Sequence, residues 1–213
     1  MKDNFFLYTF PKRLIDIVFA TMFIFIFSPI YVVSMIIIFM QDFHNPFYTQ
    51  IRIGKNKTPF NFYKFRSMVV NADDILFKDK KLYNEMRSGS NKVKNDPRVT
   101  KFGRFIRKYS IDEFPQMLNV LKGDMSVVGP RALRVDEYEL YASKNPINKE
   151  KLKEIGTVNP GITGYWQVSG RSSIDFDSRI NMDCLYAKKK SIMFDIEILI
   201  KTPYAVIKGD GAF

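Results

Sequence analysis

The sequence predicts a mixed, helix-rich α/β chain: an apolar N-terminal membrane element followed by one catalytic-sized domain. Three observations carry this. One long apolar run lies near the N-terminus, a short alternating hairpin follows it, and amphipathic helical segments fill most of the remainder. At 213 residues with 46% hydrophobic content, the chain has room for one core and is not disordered by composition.

From Leu14 to Met40 the only charged residue is Asp16. A straight helix of that length reaches about 40 Å, more than the roughly 30 Å hydrocarbon core. The run is too long for a signal-peptide core, and no small-residue cleavage site follows it. Ser28-Pro29 sits at its middle and predicts a kink, because proline removes a backbone donor and crowds the preceding turn. Two topologies fit: a single bent crossing, or a re-entrant hairpin whose arms of about 20 Å each are too short to span. Lys12 and Arg13 precede the run, and Arg52, Lys55 and Lys57 follow it, so cytoplasmic-type positive charge stands at both ends.

Beyond it, Thr49 to Phe65 reads as a hairpin, with Ile51 and Ile53 alternating with polar residues and Phe60 and Phe62 resuming the alternation after Lys55-Asn56-Lys57. Met68 to about Met86 is expected to be helical and Ser88 to Arg98 a polar loop. Lys101 to Tyr109 forms an amphipathic helix with Phe102, Phe105, Ile106 and Tyr109 on one face. It suits either a headgroup layer or an ordinary core. Ser110 to Leu121 starts another helix, turning at Lys122-Gly123-Asp124. Val135 to Lys153 is helical with a break at Asn145-Pro146. Pro160 to Arg171 is an ordered loop or short strand pair, and two further helices run through Met182–Lys190 and Ile192–Ile207. Residues 1–45 are thereby assigned to the membrane element and 46–213 to the domain that follows it.

Composition restricts the chemistry. One cysteine, Cys184, excludes an internal disulfide and a multi-cysteine zinc site, and one histidine, His44, disfavours a histidine base. The two common glycine-rich nucleotide loops are absent. A net charge of +11 points to an anionic partner. Nucleic acid is disfavoured, because the charge is spread along the chain and no nucleic-acid motif accompanies it. Carboxylates, arginines and a hard cation are what remain.

Asp112-Glu113 is the leading pair. Ser110-x-x-Glu113 also matches a capping box, in which Glu113 would only satisfy a backbone donor. The other role divides the pair into a nucleophile and a ligand for Mg²⁺, which takes one or two carboxylates plus phosphate oxygens. Arg107, Arg131 and Arg171 lie in or beside rigid turns and can grip phosphate, although a solvated arginine is the commoner case. Tyr165 and Trp166 could stack on a base or pack in the core.

Taken together, these segments resemble the bacterial monotopic phosphoglycosyl transferases. The likeness runs from Lys12-Arg13-x-x-Asp16 through Ser28-Pro29 and Tyr63-Lys64-Phe65-Arg66-Ser67-Met68 to Asp112-Glu113-x-Pro115-Gln116. It continues through Asn119 to Ser126, Val128-Gly129-Pro130-Arg131, Pro160 to Gly164 and Gln167-Val168-x-Gly170-Arg171. The resemblance implies transfer of a sugar 1-phosphate from a UDP-sugar to polyprenyl (undecaprenyl) phosphate, with loss of UMP, as the first membrane step of surface-glycan assembly. It makes Asp112 the nucleophile, Glu113 (with Asp112) the holder of Mg²⁺, and Arg107 and Arg131 phosphate contacts. Lys64, Arg66, Gln167 and Arg171 lie in matched strings and are expected on the substrate side. It also favours the re-entrant hairpin at Ser28-Pro29, placing the domain on the cytoplasmic face of the bacterial plasma membrane. The chain resembles the minimal catalytic form of the family, without the multi-helix N-terminal region of larger members. Ala132 departs from the proline usual after Gly-Pro-Arg, which is expected to loosen the loop presenting Arg131. The alternative is a non-catalytic membrane adaptor that binds acidic lipids or a protein partner. A homo-oligomer is allowed; the sugar, the pathway, the oligomeric state and the role of residues 73–96 are not written in the sequence.

Overall fold

The computed structural model describes residues 8–88, 93, 95–170 and 174–208. The apolar run forms helix α1, Phe10–Asp42, continuous through Pro29. Proline at 29 leaves the Phe25 carbonyl without its usual amide donor, four residues back. The Ser28 hydroxyl donates to that same carbonyl at 2.8 Å, which lets the helix pass the proline without an unsatisfied acceptor. Among the described residues α1 is the one helix long and apolar enough to cross a membrane.

One stripe of α1 lies on the rest of the molecule. Ala20 is fully buried, Phe23 and Ile24 pack beside it, and Ile38 is buried near the far end with Tyr31 and Met35 against the same cluster. The opposite face is apolar and bare, with Phe25 81% exposed. Both ends of α1 are tied to the domain. Near its start, Arg13 donates to the carbonyls of Val120 at 2.5 Å and Leu121 at 2.8 Å. Lys12 is buried between Asp16 (3.0 Å) and Asp195 (3.2 Å), and Asp16 accepts from the Val127 amide. At its end, Arg66 grips both oxygens of Asp42. Lys12 and Arg13, expected as free flanking charges, are therefore engaged within the protein.

Strands β1 (Phe47–Ile53) and β2 (Pro59–Phe65) pair antiparallel across the turn at Lys55–Lys57, and β4 (Leu133–Arg134) adds to β1. The expected facing of β1 is reversed: Ile51 is 56% exposed, whereas Arg52 is buried. Arg52 points inward because its cation lies over Phe62, bonds the Ala132 carbonyl at 3.1 Å and faces Glu137. A pleat alternates whichever face turns inward, and here the partners of one arginine decide it. Phe60, Phe62 and Lys64 share the corresponding inward face of β2, since period-2 spacing puts them on one side.

The single helix expected over Met68 to Met86 is two, α2 (Ala72–Lys78) and α3 (Lys80–Ser88), parted by extended backbone at Asp79. The Asp79 carboxylate accepts from the amides of Lys81 and Leu82, so it starts α3 as a cap. Helix α4 (Lys101–Lys108) buries Gly103 and Ile106 and leaves Phe105 and Tyr109 exposed, so the expected apolar face is divided between core and surface. A Cβ on Gly103 would stand 1.9 Å from the Ser67 carbonyl oxygen; only glycine allows this approach. The helix expected from Ser110 begins later, as α5 (Gln116–Lys122), with Gly123 closing it at φ 92°. Then β3 (Ser126–Val128) runs parallel to β5 (Gly161–Thr163), and α6 (Val135–Lys144) and α7 (Pro146–Ile155) break at Asn145-Pro146 as expected. Asn145 caps α7 by accepting from the Asn148 amide. Pro160 to Gly170 proves to be strand β5 plus a short helix α8 (Tyr165–Ser169). Helix α9 (Phe176–Lys189) starts earlier than expected because Asp175 caps it, and α10 (Ile192–Lys208) ends the described chain.

Asp16→Ala should lower stability by about 2–3 kcal/mol, because it removes one of two anions around a buried lysine and orphans the Val127 amide. Thermal unfolding in detergent checks this; an unchanged melting temperature would show that the first turns of α1 do not hold the domain.

Candidate active site

The segment Ile111–Glu113 is a single 3-10 turn entered through Ser110 in the left-handed region. No side-chain cap forms there, and the Glu113 amide bonds the Ser110 carbonyl instead. The capping box is therefore not made, and both carboxylates are left for other partners. The next residue, Phe114, fixes the turn against α1: its ring lies 4.8 Å from Phe23, 5.5 Å from Phe27 and 5.9 Å from Tyr31, and its carbonyl accepts from the Tyr31 hydroxyl.

Lys64 reaches over from β2. Its Nζ is 2.7 Å from Glu113 Oε1 and 3.3 Å from Asp112 Oδ2. Burial is the largest influence on Asp112 and raises its pKa; the Glu113 charge adds to this, while Lys64 and Arg107 oppose it. Burial would raise Glu113 as well, but Lys64, Arg131 and Arg52 outweigh it and hold Glu113 down at about 2. One shared environment thus pushes two neighbouring carboxylates apart. The more basic Asp112 is the better nucleophile once ionised, and Glu113 is a permanent anion suited to a cation.

Arg107 stands on α4. Its Nε donates to Ser67 Oγ at 2.8 Å, an approach that Gly103 makes possible, and burial lowers its pKa while Asp112 supports its charge. Asp96 and Arg98 form a buried pair whose charges act on Arg107, Asp96 supporting its cation and Arg98 opposing it. Arg131 leaves the Gly129-Pro130-Arg131 turn and lies 5.6 Å from the Trp166 ring. That turn is strapped down: Gly161 N bonds Pro130 O at 2.7 Å, Gly129 N bonds Thr163 O at 2.9 Å, and Arg52 holds Ala132 O. Ala132 is itself buried.

The remaining expected site residues are placed elsewhere. Arg66 is spent on Asp42 and on carbonyls at the end of α1. Gln167 sits on α8, bonding the Ile162 carbonyl, with its Oε1 buried and unpartnered. Arg171 lies outside the described residues. Trp166 is buried beneath two guanidiniums, those of Arg131 and Arg179, and so packs in the domain rather than offering its ring to a base. Sequence reasoning missed Arg52 and Arg179. Arg52 is in phase with the inward Phe62, but nothing local distinguishes it from a solvated strand residue.

Among the described residues no three His, Cys, Asp or Glu side chains gather to hold a metal. The Lys64 ammonium already lies against both carboxylates. The donor set of Asp112 and Glu113 fits Mg²⁺ only with phosphate oxygens and water completing its shell.

A buried, split carboxylate pair under Lys64, with the charges of Arg107 and Arg131 acting on it, lies beside the long apolar helix α1. The chain belongs to the bacterial sugar transferase family, whose model matches residues 7–209. It is 41% identical over 209 residues to the undecaprenyl-phosphate galactose phosphotransferase of Salmonella typhimurium, covering 96% of this chain and 42% of that protein. It is 35% identical over 207 residues to the UDP-glucose:undecaprenyl-phosphate glucose-1-phosphate transferase of Escherichia coli, covering 95% and 41%. The exopolysaccharide production protein ExoY of Rhizobium meliloti is 37% identical over 206 residues, with 95% and 88% covered. The chain thus spans about two fifths of the longer relatives and most of the last.

Lys64→Ala should move the acid limb of the pH–rate profile to higher pH. Lys64 favours the ionised form of Asp112, so its loss raises a pKa already raised by burial. An acid limb that stays in place would remove Asp112 as the group whose ionisation permits reaction.

Proposed function

We propose that this chain transfers a sugar 1-phosphate from a UDP-sugar to undecaprenyl or a similar polyprenyl phosphate, releasing UMP, through a covalent intermediate on Asp112. The observation that carries this is the Asp112–Glu113 pair, buried under Lys64, with Arg107 acting on one carboxylate and Arg131 on the other. The activities for which the Salmonella and Escherichia relatives are named belong to the same reaction class.

Asp112 Oδ attacks the sugar-bearing phosphorus, and the bridging oxygen leaves with UMP. The lipid phosphate then takes the sugar phosphate and frees the carboxylate. Phosphoryl transfer of this kind depends on placement and charge neutralisation, which Lys64, Arg107 and Arg131 supply. Neither step needs a strong base, because the lipid phosphate is already ionised near neutral pH. Asp112 and Glu113 would hold Mg²⁺ together with the donor phosphates, and the ion would neutralise charge there. A lipid-binding adaptor has no use for a buried carboxylate pair split in this way.

The same reading makes α1 re-entrant, with the domain on the cytoplasmic face. Both ends of its 33 residues are bound to one domain, through Arg13 at the start and Asp42 at the end, and a bend at Ser28-Pro29 would return the helix to the face it entered. A helix crossing a bilayer would carry its ends to opposite sides.

Two experiments test this. Asp112→Asn should abolish UMP release from UDP-sugars and polyprenyl phosphate, by at least about 10³-fold, and chelating Mg²⁺ should do the same reversibly. Full turnover by Asp112→Asn would rule out the covalent step. For topology, cysteines introduced one at a time at Thr9 and Asn45 should both react with an impermeant maleimide from the cytoplasmic side of inverted vesicles. Labelling from opposite sides would establish a crossing.

A further inference from the structure

Past the carboxylate pair, the structure gathers a second group of cations around Arg131, with Arg52 buried and Arg179 half-buried. Arg52 comes from β1 and Arg179 from α9, and the Trp166 ring lies 5.4 Å from Arg179 as well as 5.6 Å from Arg131. Burial, followed by repulsion from Arg131, brings both Arg52 and Arg179 down to about 10. Their anions do not complete the group. Glu137 reaches Arg52 only at 3.8 Å and is shared with Arg134. Asp183 is fully buried beside Arg179, but burial lifts it to about 7, the Arg131 backbone opposes this only in part, and its oxygens take no side-chain donor of the group.

Several donors here are buried without an acceptor: Arg52 Nε, Arg179 Nε and Nη2, and the Trp166 indole Nε1. Arg52 is 7% exposed and Trp166 9%. Buried N–H groups are normally satisfied, and the two Asp183 oxygens, the buried acceptors beside Arg179, take none of these donors. A compact anion with several acceptor oxygens matches that need, and guanidiniums with an indole suit phosphate.

We propose that Arg179, Trp166 and Arg52 form, with Arg131, a seat for the phosphate that departs with the nucleotide, separate from the place beside Asp112 where the transferred phosphate reacts. The proposal rests on the transferase reading above. Arg131 acts on Glu113 and also lies against Trp166, so it stands between the two places, as adjoining phosphates of a diphosphate require. When Asp112 Oδ forms its bond to the sugar-bearing phosphorus, the bond from that phosphorus to the bridging oxygen breaks. The electron pair stays on this oxygen, and the nucleoside monophosphate leaves with one more negative charge than it carried as an ester. A cationic seat at the departing phosphate stabilises the charge as it develops. The nucleotide phosphate is favoured over the lipid phosphate because the side chains of the seat come from β1, the Arg131 turn, α8 and α9, and none comes from α1, the apolar side.

The test measures binding of uridine 5′-monophosphate and of inorganic phosphate to the full chain in detergent, with steady-state KM for a UDP-sugar and for polyprenyl phosphate. Arg179→Met should weaken the nucleotide about tenfold or more and raise the donor KM, leaving the acceptor KM unchanged. Arg179→Lys should recover part of the loss. Trp166→Phe, which keeps an aromatic ring but removes the indole N–H, should weaken the nucleotide less, and it decides the matter if Arg179→Met does not fold. Unchanged nucleotide affinity in the folded variants overturns the seat, as does a raised acceptor KM with an unchanged donor KM, which would assign it to the lipid phosphate. Wild-type protein that binds and turns over beside unaffected variants loses the seat alone. Wild-type protein that neither binds nucleotide nor turns over loses the transferase reading as well.

Discussion

The contact on which the site depends is that between Phe114 and the aromatic stripe of α1. Phe23, Phe27 and Tyr31 surround the Phe114 ring, and the Tyr31 hydroxyl bonds its carbonyl, one residue beyond the carboxylate pair. The apolar helix is therefore part of the wall of the active site. Any shift in its position relative to the domain moves the turn that carries Asp112. The ties at its two ends prevent such a shift: Lys12, Arg13 and Asp16 enter the core at one end, and Arg66 takes Asp42 at the other. Serine beside proline keeps the helix continuous between those ties.

With the turn held, the electrostatics follow from burial. Two adjacent carboxylates removed from water would both resist ionisation. The protein breaks this symmetry by placing cations unequally. Lys64 lies closer to Glu113, and Arg131 and Arg52 add to that side, whereas Asp112 is opposed chiefly by Lys64 and Arg107. The outcome is one firmly ionised carboxylate beside a more basic one, and the two suit different tasks. Each cation is in turn held by structure: Arg107 by Ser67 and the close approach at Gly103, Arg131 by the straps joining its turn to β5.

Arg66 and Trp166 show how position in a matched string and position in the fold can part company. Both lie in segments that carry the family likeness. Arg66 secures the end of the membrane helix, and Trp166 packs among guanidiniums. A residue can belong to a functional segment and serve the site through what it holds in place.

Much was already legible in the chain. Periodicity gave the apolar helix, the hairpin from Thr49 to Phe65 and the break at Asn145-Pro146, because these are local properties of neighbouring residues. The Asp112–Glu113 pair and the arginine-bearing turns could be picked out by residue type and spacing. Tertiary structure decided how they are used. Local sequence allowed Glu113 to cap a helix; a lysine 49 residues earlier takes it instead. Alternation in β1 allowed Ile51 to face the core; Glu137, Phe62 and the Ala132 carbonyl bring Arg52 there. The basic residues before the apolar run looked like membrane-flanking charges; Asp195 and the α5 carbonyls claim them. Spacing along a chain fixes which side chains share a face. Which partner a charge finds, and whether it is buried there, depends on residues from tens to well over a hundred positions away that only folding brings within hydrogen-bond reach.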